Sequence, residues 1–300
     1  MRPLRDDAIS LPDGRQLGFA EWGVAGGSPV VWLPGTPGCR WSFPAVAAAE
    51  RLGLRVIVVE RPGFGRSTFQ PERRIVDFPS DLRALLDQLE LVRAPLAGWS
   101  GAGPYLLAAA HALDERVTRV AMIACVGPFD RPAAEYGMAL LRRAYLRLLR
   151  RAPGIAAWFA EVALDPSRDV EHFYRVLTRG LGEADRHVLA RPDVWTAQLD
   201  RIAEALRPGV RGLLQEIALA AEPWGFALDE VRVPVRLWHG TDDRSTPLSM
   251  AEHVAARVPG AELTVLAGRG HFFVVDEAKT ILEWVREETE SHSGRRDCAT

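Results

Sequence analysis

The sequence predicts an α/β protein in which a mostly parallel, doubly wound sheet carries an inserted helical segment. Six short apolar runs follow one another along the chain, and each is continuous rather than alternating, as in strands covered on both faces. Helical patterns separate these runs, which is typical of a sheet with helices on both faces. From residue 128 to residue 229 the alternation stops and only helical patterns remain. That interval is too long for a single crossover and therefore predicts an insertion.

The predicted sheet begins with a strand–turn–strand unit, in which residues 9–11 and 16–22 flank an Asp-Gly turn. The six apolar runs supply the remaining strands at residues 30–33, 56–59, 96–99, 120–124, 235–238 and 263–266. One intervening helix has an apolar face of leucines, namely Leu82, Leu85, Leu86 and Leu89. A second helix, which Pro247 opens, has an apolar face formed by Met250, Val254 and Val258.

The same pattern predicts the division into domains. Residues 1–127 and 230–290 are expected to form the α/β core, residues 128–229 a helical lid, and residues 291–300 a flexible C-terminal tail. Prolines divide the predicted lid into short helices, because proline does not fit a helix interior. They are Pro153, Pro166, Pro192, Pro208 and Pro223.

Composition and charge exclude several classes of protein. The 37 Lys and Arg residues nearly balance the 39 Asp and Glu residues, whereas a nucleic-acid-binding protein needs a positive excess. Cys39, Cys125 and Cys298 are too few and too scattered for a disulfide framework or a zinc site. Residues 1–12 do not resemble a secretory signal, and no apolar run approaches the roughly 18 residues of a membrane helix. The sequence therefore predicts a cytoplasmic protein without a membrane span that acts on a small molecule, and it leaves the oligomeric state open.

A candidate nucleophile follows the third apolar run. Ser100 stands between that run and a helical pattern, where a strand-to-helix turn needs a positive φ and exposes the serine Oγ above the sheet. Such a turn accepts only small residues two positions before and after the serine, and Gly98 and Ala102 meet this condition. Pro104 belongs in the first turn of a helix and fixes the helix start beside Ser100. A glycine-rich turn with an incidental serine is the alternative interpretation.

Two further strand ends supply an acid and a base. A nucleophilic serine needs a base, and a histidine base needs a carboxylate to orient it. Asp243 follows the run at 235–238 and His271 follows the run at 263–266, so both are expected at the edge of the sheet where ligands bind. Asp242 is the alternative acid. His239, which directly precedes the acid loop, is interpreted as a strand-end residue, with a role in the site as the alternative.

With the chain order Ser100, Asp243, His271, the sequence resembles the α/β-hydrolase-fold superfamily, in particular its lid-containing esterases and proline iminopeptidase-like hydrolases. The family pattern places a proline four residues after the acid, here Pro247, which favours Asp243 over Asp242. The resemblance implies an α/β-hydrolase type of sheet and a catalytic triad of Ser100, Asp243 and His271. It implies no metal and no organic cofactor.

A fourth segment, Pro34-Gly35-Thr36-Pro37-Gly38, resembles the oxyanion loop of this family, with Pro34 in place of its histidine. The resemblance implies that the backbone N–H groups of Thr36 and Gly101 stabilise the developing oxyanion. The missing histidine removes a hydrogen bond that braces the loop, but it removes no oxyanion donor. Residues 60–67 resemble the loop after the next strand and are interpreted as structural.

Candidates for lining an apolar substrate site are Trp41, Trp99 and Phe272, which lie near the predicted chemistry. Seven aromatic residues of the predicted lid are interpreted mainly as packing: Trp158, Phe159, Phe173, Tyr174, Trp195, Trp224 and Phe226. One helical pattern carries five arginines, which are interpreted as a solvated face, with docking of an acidic carrier or a membrane surface as the alternative. These are Arg142, Arg143, Arg147, Arg150 and Arg151.

The expected function is that of a serine hydrolase, which cleaves a carboxylic ester or related acyl bond of a small, largely apolar substrate through an acyl-enzyme. A proline iminopeptidase-like aminopeptidase is one alternative, and it needs lid carboxylates such as Glu161, Asp165 or Asp169 to hold the substrate amine. The fold also hosts lyases, cyclases, cofactor-free oxidants and ligand receptors with a vestigial triad, so these classes stay open.

Overall fold

One eight-stranded sheet lies at the centre of the protein, whose structure, a computed structural model, describes residues 2–130, 132–159 and 166–287. The strands are β1 (Arg5–Ser10), β2 (Gln16–Gly23), β3 (Ser28–Leu33), β4 (Leu54–Val59), β5 (Ala94–Trp99), β6 (Val117–Ile123), β7 (Val235–Gly240) and β8 (Glu262–Leu266). Their spatial order is β1-β2-β4-β3-β5-β6-β7-β8. β2 pairs antiparallel with both β1 and β4, and the other neighbours pair parallel. The predicted mostly parallel sheet is confirmed.

The strands contain the predicted apolar runs, although their ends differ by a few residues. β6 begins at Val117 rather than at residue 120, because Arg119 inside the strand is buried instead of solvated. Its guanidinium bonds the Trp284 carbonyl at 2.7 Å and lies 4.9 Å from the centre of the Trp284 ring. The same strand ends before Ala124, whose φ of +44° is incompatible with a strand.

Helices cover both faces of the sheet. The helices are α1 (Val46–Arg51), α2 (Phe78–Gln88), α3 (Gly103–Ala112), α4 (Leu140–Arg151), α5 (Pro153–Trp158), α6 (Val170–Leu177), α7 (Glu183–Leu189), α8 (Pro192–Ala205), α9 (Arg211–Ala220), α10 (Leu248–Arg257) and α11 (Val274–Arg286). One core cluster joins α2, α3 and α10 to one face of the sheet, and a second joins α1 and α11 to the opposite face. The sheet is therefore doubly wound, as the continuous apolar runs predict.

The chain between β6 and β7 contains helices α4 to α9 and no strand in its described part. Pro153 and Pro192 each open a helix, where the missing N–H is not needed. A separate apolar cluster joins helices α6 to α9 to Phe64 and Phe272, which belong to loops at the carboxyl edge of the sheet. Through α6 to α9, the helical insertion, our term for the described part of residues 128–229, thus packs over that edge. The predicted tail, residues 291–300, lies outside the described residues.

None of the helices in the described ranges is both long and apolar enough to cross a membrane.

Candidate active site

Ser100 lies on a sharp turn between β5 and α3. Its φ of +58° is in the left-handed region, which non-glycine residues seldom occupy. A side chain at Gly98 would place its Cβ 2.7 Å from the Leu33 carbonyl oxygen and 2.8 Å from the Ala102 Cβ. The small residues at these two positions therefore allow the turn to form, and Pro104 follows in the first turn of α3.

Ser100, His271 and Asp243 form a continuous chain of hydrogen bonds. His271 Nε2 lies 2.9 Å from Ser100 Oγ, and His271 Nδ1 lies 2.7 Å from Asp243 Oδ2. All three side chains are buried, with 9% or less of each residue exposed. They come from the ends of β5, β7 and β8, which are brought together by the parallel sheet.

The Asp243 carboxylate is held by its own turn as well as by His271. Its Oδ1 accepts the backbone N–H groups of Ser245 and Thr246 at 2.7 and 2.9 Å, and its Oδ2 accepts the Thr246 hydroxyl at 2.8 Å. Burial alone would raise the pKa of Asp243, but the charge and hydrogen bond of His271, with the bonds from Thr246, bring it below its ordinary value. Asp242 is instead exposed and accepts the Thr241 hydroxyl. The structure therefore turns Asp243, and not Asp242, toward His271.

His239 lies behind the acid at the end of β7. Its Nε2 is 2.6 Å from the Thr246 carbonyl oxygen and 3.5 Å from Asp243 Oδ2. Burial lowers the pKa of His239, so the neutral ring donates its N–H to Thr246 near pH 7. It is a strand-end residue, as expected, and it also braces the turn that carries the acid.

Asp185 of α7 was not singled out by the sequence, yet it contacts the His271 loop. Its Oδ1 accepts the Phe272 backbone N–H at 2.8 Å, and a side chain at Gly270 would collide with its carboxylate. Burial raises the pKa of Asp185. The only sequence signal for this contact is the glycine next to His271, which leaves room for the carboxylate. The contact ties the helical insertion to the loop of the candidate base.

The loop after β3 brings Thr36 next to Gly101. A Cβ placed on Gly101 would collide with the Thr36 side chain and lie 3.3 Å from the Thr36 backbone nitrogen. Gly101 belongs to a short 3₁₀ turn, Ser100–Ala102, that leads into α3, and N–H groups at a helix start lack intrahelical partners. Both residues line the cavity that contains Ser100. The arrangement is compatible with the two predicted oxyanion donors.

Arg61 braces this loop where Pro34 replaces the histidine. Its guanidinium donates to the carbonyl oxygens of Pro34 and Gly35, the latter at 2.9 Å. Glu216 of α9 binds the same guanidinium and accepts the Thr36 hydroxyl at 2.7 Å. The segment at 60–67 thus has a structural role: Arg61 holds the backbone of the loop after β3 and connects that loop to the helical insertion.

Replacing Glu216 by glutamine should lower the free energy of unfolding by about 3–5 kcal/mol, because Arg61 and Arg73 both lose a buried anionic partner. The charge of Arg61 holds the pKa of Glu216 below its ordinary value of 4.5 against the effect of burial. A group with a lowered pKa stabilises the fold above its unfolded pKa and loses that contribution as the pH falls through its folded pKa. The difference between variant and wild type should therefore be full at pH 7 and shrink below about pH 4.5.

Urea unfolding at several pH values measures this difference. Glu283→Gln is the control, because Glu283 forms only an exposed ion pair with Lys279, worth at most about 0.5 kcal/mol. Equal losses in the two variants would contradict the bracing role of Glu216.

Two cavities adjoin Ser100. The larger, about 210 Å³, is lined mainly by apolar side chains of the helical insertion. They include Met138, Leu146, Phe173, Leu213 and Ile217. The smaller, about 60 Å³, contains Ser100 together with His271, Trp99 and Phe272. Thr36 and Arg142 line both cavities.

Of the three predicted substrate-binding residues, two line a cavity beside Ser100 and one does not. Trp99 and Phe272 line the smaller cavity, and the Trp99 indole N–H donates to the His271 carbonyl at 3.0 Å. Trp41, also predicted to line the substrate site, lines neither cavity: its indole N–H donates to Asp6 at 2.9 Å and its ring packs against Arg40. Arg40 is itself held by ion pairs with Asp6 and Glu60, and no local pattern in the sequence predicts these contacts.

Two predictions about the insertion also need correction. Phe159, Phe173 and Tyr174 line the cavities rather than serving only as packing. Arg142 is not on a solvated face, because α4 turns it toward the cavity together with Leu141, Tyr145 and Leu146. Arg143 and Arg147 do lie near an acid, at 3.7 and 3.6 Å from Glu135.

Comparisons with known proteins identify the fold. A family model of the alpha/beta hydrolase fold matches residues 28–278. The chain is 32% identical over 257 residues to the pimeloyl-[acyl-carrier protein] methyl ester esterase of Aromatoleum aromaticum, which covers 83% of this chain and 88% of that protein. It is 27% identical over 273 residues to the 2-hydroxy-6-oxononadienedioate/2-hydroxy-6-oxononatrienedioate hydrolase of Cupriavidus pinatubonensis, covering 85% and 84% of the two chains.

A solved structure of a hydrolase from Pseudomonas aeruginosa superposes with a TM-score of 0.69. The superposition covers 95% of this chain and 99% of that chain at 19% identity, and it shows a common fold. The chain belongs to the α/β-hydrolase family and is an enzyme of that fold.

Proposed function

We propose that this enzyme is a serine hydrolase that cleaves a carboxylic ester or related acyl bond of a small, largely apolar substrate. The observation that carries the proposal is the hydrogen-bonded chain from Ser100 through His271 to Asp243, which opens onto a cavity. The similarity to a methyl ester esterase supports an ester as the bond that is cleaved.

In the proposed mechanism Ser100 Oγ attacks the acyl carbonyl while His271 Nε2 takes its proton. The buried Asp243 carboxylate accepts the His271 Nδ1–H, which fixes the tautomer and stabilises the imidazolium that forms. His271 then gives the proton to the leaving alcohol. Water, activated by the same histidine, releases the acid from the acyl-enzyme.

The negative charge that develops on the carbonyl oxygen is expected to meet the Thr36 and Gly101 N–H groups. Removing one such donor from an oxyanion hole costs about 10²–10³ in kcat in serine proteases. Arg61 and Glu216 support this arrangement, because they hold the Thr36 loop by its carbonyl oxygens and its hydroxyl. They act through the loop and do not themselves contact the reacting atoms.

The apolar lining of the larger cavity supports a substrate with an apolar acyl chain. Each methylene buried there contributes about 0.8 kcal/mol, which corresponds to about fourfold in rate. In a series of 4-nitrophenyl esters, kcat/KM should therefore rise about fourfold per added carbon until the cavity is full. A flat series would contradict binding of the acyl chain in this cavity.

A matched pair of variants assigns the chain to the cavity. Ile217 of α9 lines the larger cavity, so Ile217→Trp should move the preferred ester to a shorter acyl chain. Ile217→Ala, which enlarges the same space, should not shorten it. If both variants keep the wild-type preference, the acyl chain binds elsewhere.

The described charges around Ser100 do not favour the aminopeptidase alternative. That activity needs an unpaired carboxylate for the substrate amine, and Glu216, which lines the larger cavity, is paired with Arg61 and Arg73. Asp169 caps α6 by accepting the His172 N–H and lines neither cavity. Glu161 and Asp165 lie outside the described residues. The ester hydrolase is therefore the function we retain.

A further inference from the structure

The smaller cavity beside Ser100 is lined by two arginines, Arg142 of α4 and Arg201 of α8. In the parts of the chain that the structure describes, no Asp or Glu side chain forms an ion pair with either arginine. Both side chains are partly buried. An arginine stays positively charged at neutral pH. Among the described residues the two guanidinium groups beside the candidate nucleophile have no carboxylate in ion-pair contact, and Asp243 and Asp200 attract them only through space.

The immediate surroundings of Arg142 do not neutralise it. Asp243 attracts it through space, but that carboxylate is already bound by His271 and Thr246. Burial lowers the pKa of Arg142. Holding a charge in a partly desolvated position costs free energy unless a partner is present. An anion entering the cavity would supply that partner.

Arg201 has most of its donors available. One guanidinium nitrogen donates to the Phe43 carbonyl at 3.1 Å, and a guanidinium has five N–H donors in all. Burial lowers the pKa of Arg201 as well, and the charge of Asp200 opposes this effect without forming an ion pair with it. This second cation lines the smaller cavity and not the larger one.

Tyr174 provides an independent observation at the same place. It lines the smaller cavity and is only 3% exposed, yet its hydroxyl makes no hydrogen bond of acceptable geometry in the described structure. Burial raises the pKa of Tyr174, and the charge of Arg201 and the neighbouring Gln198 oppose this rise. A buried hydroxyl without a partner is costly, and a ligand oxygen would satisfy it.

We propose that the smaller cavity is a carboxylate-binding subsite, in which Arg142, Arg201 and the Tyr174 hydroxyl hold an anionic group on the leaving-group side of the substrate. The cavity volume of about 60 Å³ leaves room for a small carboxylate group. The planar guanidinium also matches the geometry of a carboxylate. This inference rests on the proposed ester hydrolysis and names the class of alcohol that leaves.

The residues that line the two cavities indicate which cavity holds the acyl group and which holds the leaving alcohol. His271, which protonates the leaving alcohol, lines only the smaller cavity. Gly101, whose N–H faces the carbonyl oxygen, lines only the larger one. The apolar acyl chain therefore occupies the larger cavity, and the alcohol with its carboxylate occupies the smaller one.

The test uses two esters with the same butanoyl group, namely butanoyloxyacetate and its uncharged analogue butanoyloxyacetamide. Wild-type enzyme should hydrolyse the carboxylate ester with a kcat/KM at least about tenfold higher, since a hydrogen bond to a charged group is worth that much or more. In Arg142→Gln the ratio of the two kcat/KM values should fall to within about threefold of one. Arg147→Gln, on the exposed side of the same helix, should keep the wild-type ratio.

Binding to Ser100→Ala, measured by calorimetry, gives a readout that does not depend on turnover. There the carboxylate ester should bind at least about tenfold more tightly than the amide, and adding Arg142→Gln or Tyr174→Phe should reduce that ratio. Equal affinities in Ser100→Ala, or a wild-type ratio that survives Arg142→Gln, would overturn the subsite.

A monomethyl ester of a dicarboxylic acid, which carries its carboxylate on the acyl side, serves as the positional control. If the Arg142-dependent preference belongs to that ester instead, the assignment of the leaving group to the smaller cavity is wrong. Absence of hydrolysis of every ester, with selective binding retained, would refute the proposed function and leave the anion subsite standing.

Discussion

Ser100→Ala should lower kcat for an ester substrate by about 10⁶ while the protein keeps its fold. Loss of the nucleophile has about this effect in a well-studied serine protease, because the residual catalysis comes only from binding and the oxyanion hole. Here Ser100 Oγ is the atom that His271 Nε2 approaches at 2.9 Å. Steady-state kinetics with circular dichroism of both proteins measure the effect.

Ser80→Ala is the matched control, since Ser80 lies at the start of α2 and its hydroxyl donates only to the Asp77 carbonyl. It should retain wild-type kinetics. Activity of Ser100→Ala within about tenfold of wild type would contradict the serine mechanism. A Ser100→Ala protein that turns over only a non-acyl substrate would instead support the lyase or cyclase alternative.

Asp243→Asn should reduce kcat by about 10⁴, as the equivalent change does in serine proteases, because the amide no longer holds the histidine in the productive tautomer. Asp243 Oδ2 is 2.7 Å from His271 Nδ1, whereas Asp242 is exposed and bonds Thr241. Asp242→Asn should therefore have a much smaller effect on kcat. The two variants differ by one position on the same turn, so each controls for the other.

Equal losses in the two variants, or a larger loss in Asp242→Asn, would show that the acid had been assigned one residue too late. Comparing the urea unfolding midpoints of Asp243→Asn and the wild type shows whether a loss of kcat comes from unfolding of the variant.

The sequence predicts the sheet and the placement of Ser100, Asp243 and His271 because these depend on local signals. Continuous apolar runs predict strands buried on both faces, and the carboxyl ends of parallel strands meet at one edge. Small residues around Ser100 indicate the positive φ that the structure has. Strand ends are less predictable, as the buried Arg119 inside β6 demonstrates.

Contacts between distant segments leave no comparable local signal. Arg61 and Glu216 are 155 residues apart, and neither lies in a pattern that indicates a buried ion pair. Asp185 and Phe272 meet across 87 residues. The side of α4 that faces the cavity depends on how the insertion packs, so Arg142 was assigned to solvent on composition alone. Most residues that line the two cavities belong to segments that meet through such contacts, so the sequence predicts the cavities less fully than the candidate triad.

The most direct test of the central claim, that Ser100 is a nucleophile activated by His271, is covalent labelling with a fluorophosphonate. Attack by Ser100 Oγ on phosphorus expels fluoride and leaves a stable adduct, which peptide mass spectrometry locates. We expect one phosphonyl group per protein, on the peptide that contains Ser100, with complete loss of esterase activity. Labelling of another residue, or no labelling of a protein that hydrolyses esters, would contradict the account.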